Sequence, residues 1–168
     1  MLNYMYRKWS RGFSGVFFPF LVLSGFTSLC SAQPSAEPDV KTAKERTALV
    51  QTFATEKLWR WQKRLNLEDW KISVEVSRAS DLKPRTLGNI HWDTDKKTAV
   101  IRVLDPADYR LPFADVLQDI EFTVVHELIH LELAPVLAPL QRNDANRREE
   151  EHAVNHMTDA LLHLDRDH

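Results

Sequence analysis

The 168-residue sequence predicts an α+β fold, and three observations carry that prediction. Apolar residues recur at helical spacing from Thr42 to Leu67 without Pro or Gly. Three short segments between Trp70 and Leu104 then have strand character, and two further helical stretches follow. The order helix, strand, strand, strand, helix, helix predicts a small, mostly antiparallel sheet with helices on its covered side.

In the first helix Leu49, Phe53, Leu58, Trp61 and Leu65 define the expected apolar face, and Trp59 falls off it. The stretch "WKISVEVS" alternates. Trp70, Ile72, Val74 and Val76 point one way, and Lys71, Ser73 and Glu75 the other, as in a half-buried strand. "TLGNIHWD" (Thr86 to Asp93) and "TAVIRVL" (Thr98 to Leu104) read as a hairpin about the polar turn "TDKK". A loop with two prolines, Asp105 to Asp115, leads into a helix expected from Asp115 to about Ala134, since Pro135 fits a helix interior poorly. The last helix is expected from Arg147 to Leu164. Asn146 and Glu149 have the spacing of a capping box. The tail "LHLDRDH" reads as a frayed end.

Hydrophobic content of 43%, charged content of 27% and a net charge of −2 are ordinary for a globular domain. Nothing in this balance suggests a nucleic-acid partner, which calls for a basic patch or stripe. A single cysteine, Cys30, excludes an internal disulfide framework. Residues 1–12 carry Arg7, Lys8 and Arg11 and no acid; Phe13 to Leu29 is uncharged; small residues follow at Cys30, Ser31 and Ala32. That is the pattern of a signal peptide over residues 1–32, and hence of export to the periplasm or medium. The rival is an uncleaved anchor in residues 13–29, short for a span and interrupted by Pro19. Contact with membrane is expected only in that second case. Residues 33–41 read as a linker, and 42–168 as the folded domain.

The chemistry concentrates in "TVVHELIHLEL" (Thr123 to Leu133). Positions four apart in a helix share a face, so His126 and His130 project together and can both reach one zinc ion. Glu127, one residue on, flanks that ion, where it can accept a proton from water. The bland alternative is a pair of core histidines bonded to each other or to nearby acids. Catalytic zinc needs a third protein ligand and an open position. "REEEHAVNHMTDALL" (Arg148 to Leu162) offers Glu149, Glu150 and Glu151. Periodicity disfavours Glu149 and does not choose between the other two.

His126-Glu127-x-x-His130, with an acidic helix one loop downstream, resembles the gluzincins, zinc metallopeptidases with a Glu ligand, and in particular their small single-domain forms in bacteria and phages. The resemblance runs from about Trp70 to Leu162. It implies a small zincin-like fold and one zinc ion per chain, held by His126, His130 and Glu151. Glu127 would be the general base, acting on a peptide or protein substrate. Such families place the ligand Glu four residues before an Asp or Asn that supports the first motif His. Glu151 and Asn155 fit that spacing, whereas Glu150 would face Val154. An extended third-His motif is excluded, because Leu133 and Val136 stand where its Gly and His would be. Gluzincins often supply a Tyr or His to the oxyanion, and Tyr109, His152 and His156 are the candidates. Two other functions compete: a catalytically inactive zincin-like binding domain, and a zinc hydrolase acting on a non-peptide amide such as a cell-wall crosslink. Strand addition of a peptide to the sheet edge, at "TAVIRVL", is a further expectation.

Overall fold

The computed structural model describes residues 42–140 and 143–167; the expected signal segment, anchor and linker lie outside them. Helix α1 (Ala43–Arg64) leads into strand β1 (Lys71–Ser77). Strands β2 (Gly88–Asp93) and β3 (Thr98–Leu104) follow, then helices α2 (Phe113–Leu137) and α3 (Asp144–Arg166). The predicted α+β architecture is what the structure shows. Helices α1 and α2 pack against the sheet and each other, and α3 packs against α2. Among the described residues no helix is long and apolar enough to cross a membrane.

The sheet is mixed rather than mostly antiparallel as expected, in the order β1-β3-β2. The hairpin supplies its antiparallel half, with Ile90 opposite Ile101. The other half is parallel, with Val74 opposite Ile101. Strand β3 therefore has both edges paired, which removes "TAVIRVL" as a place for strand addition. The outer edge of β1 is closed by a side chain: Gln51 of α1 donates from Nε2 to the Val74 carbonyl (2.8 Å) and accepts from the Val76 N–H (3.2 Å). Its amide stands in for a neighbouring strand and satisfies two groups that a sheet edge leaves open. The outer edge of β2 pairs with no strand among the described residues.

Each helix has a local reason for its limits. Thr42 and Glu45 form a reciprocal capping box that satisfies exposed N–H groups at the start of α1. The Thr-x-x-Glu spacing of this box is visible in the sequence itself. Helix α3 starts one turn earlier than expected, because Asn143 is its cap and accepts from the Asn146 N–H at 2.8 Å. Helix α2 continues through Pro135 to Leu137. The proline lies in the last turn, so its missing N–H costs one bond near an end, and Ala138 N–H still reaches the Ala134 carbonyl at 2.9 Å. The tail expected to fray is helical from Leu162 to Arg166. Leu162 is buried, and Asp165 pairs with Arg60 and Arg64 of α1.

The buried face of α1 is Val50, Ala54, Leu58 and Trp61. Leu49, expected inside, is 38% exposed, and Trp59 lies outside at 72%. The indole N–H of Trp61 donates to Glu121 on α2 at 3.2 Å, so this buried ring keeps its polar atom satisfied. At the centre, Ile101 is fully buried in the core shared by sheet and helices. Ile101→Ala should destabilise the fold by about 2–5 kcal/mol, read as a shift in the urea midpoint at constant slope.

Strand β2 meets α2 at Gly88. A Cβ there would fall far inside contact distance of the Arg102 carbonyl oxygen and the Thr123 methyl. Thr123 is itself pinned by a bond from its hydroxyl to the Asp119 carbonyl (2.8 Å). The absent side chain thus sets how closely the edge strand approaches the helix one turn before His126. Gly88→Ala should cost about 1–3 kcal/mol by overpacking, because one of the two obstructing groups is backbone. A chemical-denaturation curve within error of wild type would refute this.

Candidate metal centre

Seven consecutive residues of α2, Thr123 to Ile129, are buried. A helix covered on every side is a central one, and this follows from the apolar run Val124, Val125, Leu128, Ile129 and Leu131. Into that surround the sequence places His126 and Glu127, both buried, and His130, largely so. Phe122 lies beside His126, ring centroids 6.0 Å apart. Helix α3 returns past this turn and brings in the acidic triplet.

The histidines meet through Nε2, 3.1 Å apart. Glu151 faces both: one carboxylate oxygen lies 3.4 Å from His126 Nε2 and the other 3.6 Å from His130 Nε2. A tetrahedral ion with bonds of about 2.0–2.1 Å holds its ligand atoms about 3.3–3.4 Å apart. The Nε2–Nε2 separation is close to that value, and each carboxylate oxygen of Glu151 is at a similar distance from one imidazole. With one ligand atom taken from each residue, all three lie within 4.8 Å of one another. Two imidazoles and a carboxylate are also a donor set that zinc accepts. His126, His130 and Glu151 could hold a metal ion, and they are the only such group of three or more among the described residues.

The sequence left Glu150 and Glu151 as rivals for one role, and the fold gives each a position. Glu150 Oε1 lies 3.0 Å from His130 Nδ1, on the side of the ring away from the cluster. With Nδ1–H donating to Glu150, the lone pair of His130 is left on Nε2, facing His126 and Glu151. Glu149 is exposed. Glu150→Ala should therefore leave the ligand set intact and weaken metal affinity by roughly 10–100-fold, measured by competition with a chelator dye. Asn155 does not play the expected supporting part: His126 Nδ1 is buried and has no hydrogen-bond partner.

The charges respond to this crowding. Hydrogen bonds from His126 and His130 hold the Glu151 carboxyl well below the usual range. Burial opposes protonation of His130, but the Glu151 carboxylate, with Glu127 and Glu150, outweighs it and raises the pKa. Burial raises Glu127, partly offset by the charges of His126 and His130.

No family model, curated protein or solved structure matches the chain. The site therefore rests on its own geometry.

The three oxyanion candidates differ in their surroundings. The Tyr109 hydroxyl is buried without a hydrogen-bond partner, its ring packed on the core, and burial followed by the charge of Asp119 raises its pKa. His152 and His156 are exposed and lie against each other.

Proposed function

We propose that the chain is a zinc-dependent metallopeptidase of the gluzincin type. The observation that carries this reading is the convergence of His126, His130 and Glu151 beside a buried carboxylate, Glu127. Zinc held there would polarise a substrate carbonyl and acidify water enough to make a nucleophile near neutral pH.

The chain's own groups account for the rest. Glu127 takes a proton from the attacking water and returns it to the departing amine nitrogen. The apolar surround of α2 lowers the local dielectric and strengthens each charge interaction in the site. Glu150 holds His130 in the tautomer that turns Nε2 toward the cluster. The substrate in this reading is an extended peptide. With β3 enclosed and β1 closed by Gln51, β2 is the strand along which it would lie, on its unpaired outer edge. The pattern from Arg7 to Ala32 supports action outside the cytoplasm.

The test is zinc content of the purified protein by elemental analysis, followed by a peptide-library digest with and without chelator. One zinc per chain, and cleavage that chelation stops and zinc restores, is the expected result. Zinc without cleavage of any peptide would leave a binding domain or a hydrolase of another amide. Absence of zinc after refolding with the metal would make His126 and His130 core residues.

A further inference from the structure

Helix α3 carries a second set of metal-capable side chains, on the face turned away from the core. Its buried residues are Val154, Thr158 and Leu162. Glu149, His152, His156, Asp159 and His163 recur at steps of three and four along the same helix. At 100° per residue these five fall within an arc of about 80°, on roughly the opposite side from the buried three. His152, His156 and His163 are exposed.

Within this stripe one pair is already in contact. The rings of His152 and His156 have centroids 4.1 Å apart, inclined at 55°. The two positions have the same four-residue spacing as His126 and His130, whose centroids are 4.7 Å apart. Imidazoles one helical turn apart can direct a nitrogen each at one ion. Exposure leaves the remaining coordination positions to water.

We infer that His152 and His156 form a second, solvent-facing site for a divalent late-transition-metal ion, chelated by two imidazoles. Imidazole suits copper, nickel and zinc, and the affinity order places copper(II) highest. Both rings are exposed, whereas His130 is largely buried and held by Glu150, so these ligands are less ordered beforehand. The site should therefore bind a given metal more weakly than the buried one. It is independent of the peptidase reading, since it shares no ligand with the cluster of His126, His130 and Glu151.

The experiment titrates metal-free full chain with copper(II), followed by visible absorption and electron paramagnetic resonance. Wild type, His126→Ala, His126→Ala/His152→Ala and His126→Ala/His156→Ala are compared. The His126→Ala protein should still bind one copper with nitrogen hyperfine structure from imidazole. Either second substitution should weaken that binding by more than the roughly 10–100-fold lost with a supporting partner. Should the buried substitution at His126 prevent folding, wild type loaded with one equivalent of zinc replaces it, and His152→Ala must then abolish uptake of copper by the loaded protein. The inference is overturned if no copper binds beyond the buried site. It is equally overturned if the copper that does bind is held as tightly without His152 and without His156.

Discussion

Glu127→Gln should keep one zinc per chain and lose peptide hydrolysis by about 10²–10⁴-fold or more in kcat, the contribution of a positioned general base. The substitution preserves shape in a site that is buried and tightly packed, and it removes only the capacity to accept a proton. The pH profile of the wild type carries the same information. A base works ionised, so activity is present above its pKa and falls as pH drops through it. Burial raises the Glu127 pKa, which moves this acid limb upward; the charges of His126 and His130 pull it back, as would any bound cation. In kcat/KM against pH, the acid limb assigned to Glu127 should vanish in the residual activity of Glu127→Gln. Retained wild-type turnover in the variant would remove Glu127 from the mechanism altogether.

The second large effect is expected at Glu151. Glu151→Ala removes one of the three groups that converge on the candidate ion position. The loss in metal affinity should exceed the roughly 10–100-fold expected when a supporting partner is removed. Competition with a chelator dye, run beside Glu150→Ala, separates the two acids. Equal losses would mean that both carboxylates bind the ion or that neither does. A larger loss from Glu150→Ala would exchange their roles.

That contrast marks where sequence reading stops. His126 and His130 were legible because a four-residue spacing brings side chains together in any helix, whatever surrounds it. Glu150 and Glu151 are neighbours, about 100° apart around α3. Choosing between them requires the rotation of α3 against α2, which is a tertiary quantity. In the structure Glu150 lies against Nδ1 of His130 and Glu151 faces Nε2 of the same ring. The unpartnered Nδ1 of His126 gave no sequence signal, because a missing contact leaves no pattern.

The fold divides in the same way. Alternation in "WKISVEVS" predicted which residues of β1 face inward, and Val74 is indeed buried while Lys71, Ser73 and Glu75 are exposed. Alternation carries no information on strand direction, so the parallel pairing of β1 with β3 was out of reach. Leu49 and Val50 are adjacent apolar residues on α1, and only the angle at which the helix lies on the sheet decides that Val50 is the buried one. The anchored C-terminal end depended on Asp165 meeting two arginines about a hundred positions earlier, a coincidence that no local window contains.

The central place of β3 has a kinetic consequence. Its pairing with β2 closes a four-residue turn and is local, the kind of contact that forms within about 1–10 microseconds. Its pairing with β1 brings together positions 27 apart, such as Val74 and Ile101, with the whole of β2 in between. The hairpin is thus expected to assemble first and β1 to dock on it afterwards, later still gaining its cover from Gln51. In a chevron analysis, Ile90→Val on the hairpin should slow refolding more than Val74→Ala on β1, relative to the stability each removes, and Val74→Ala should act mainly on the unfolding arm.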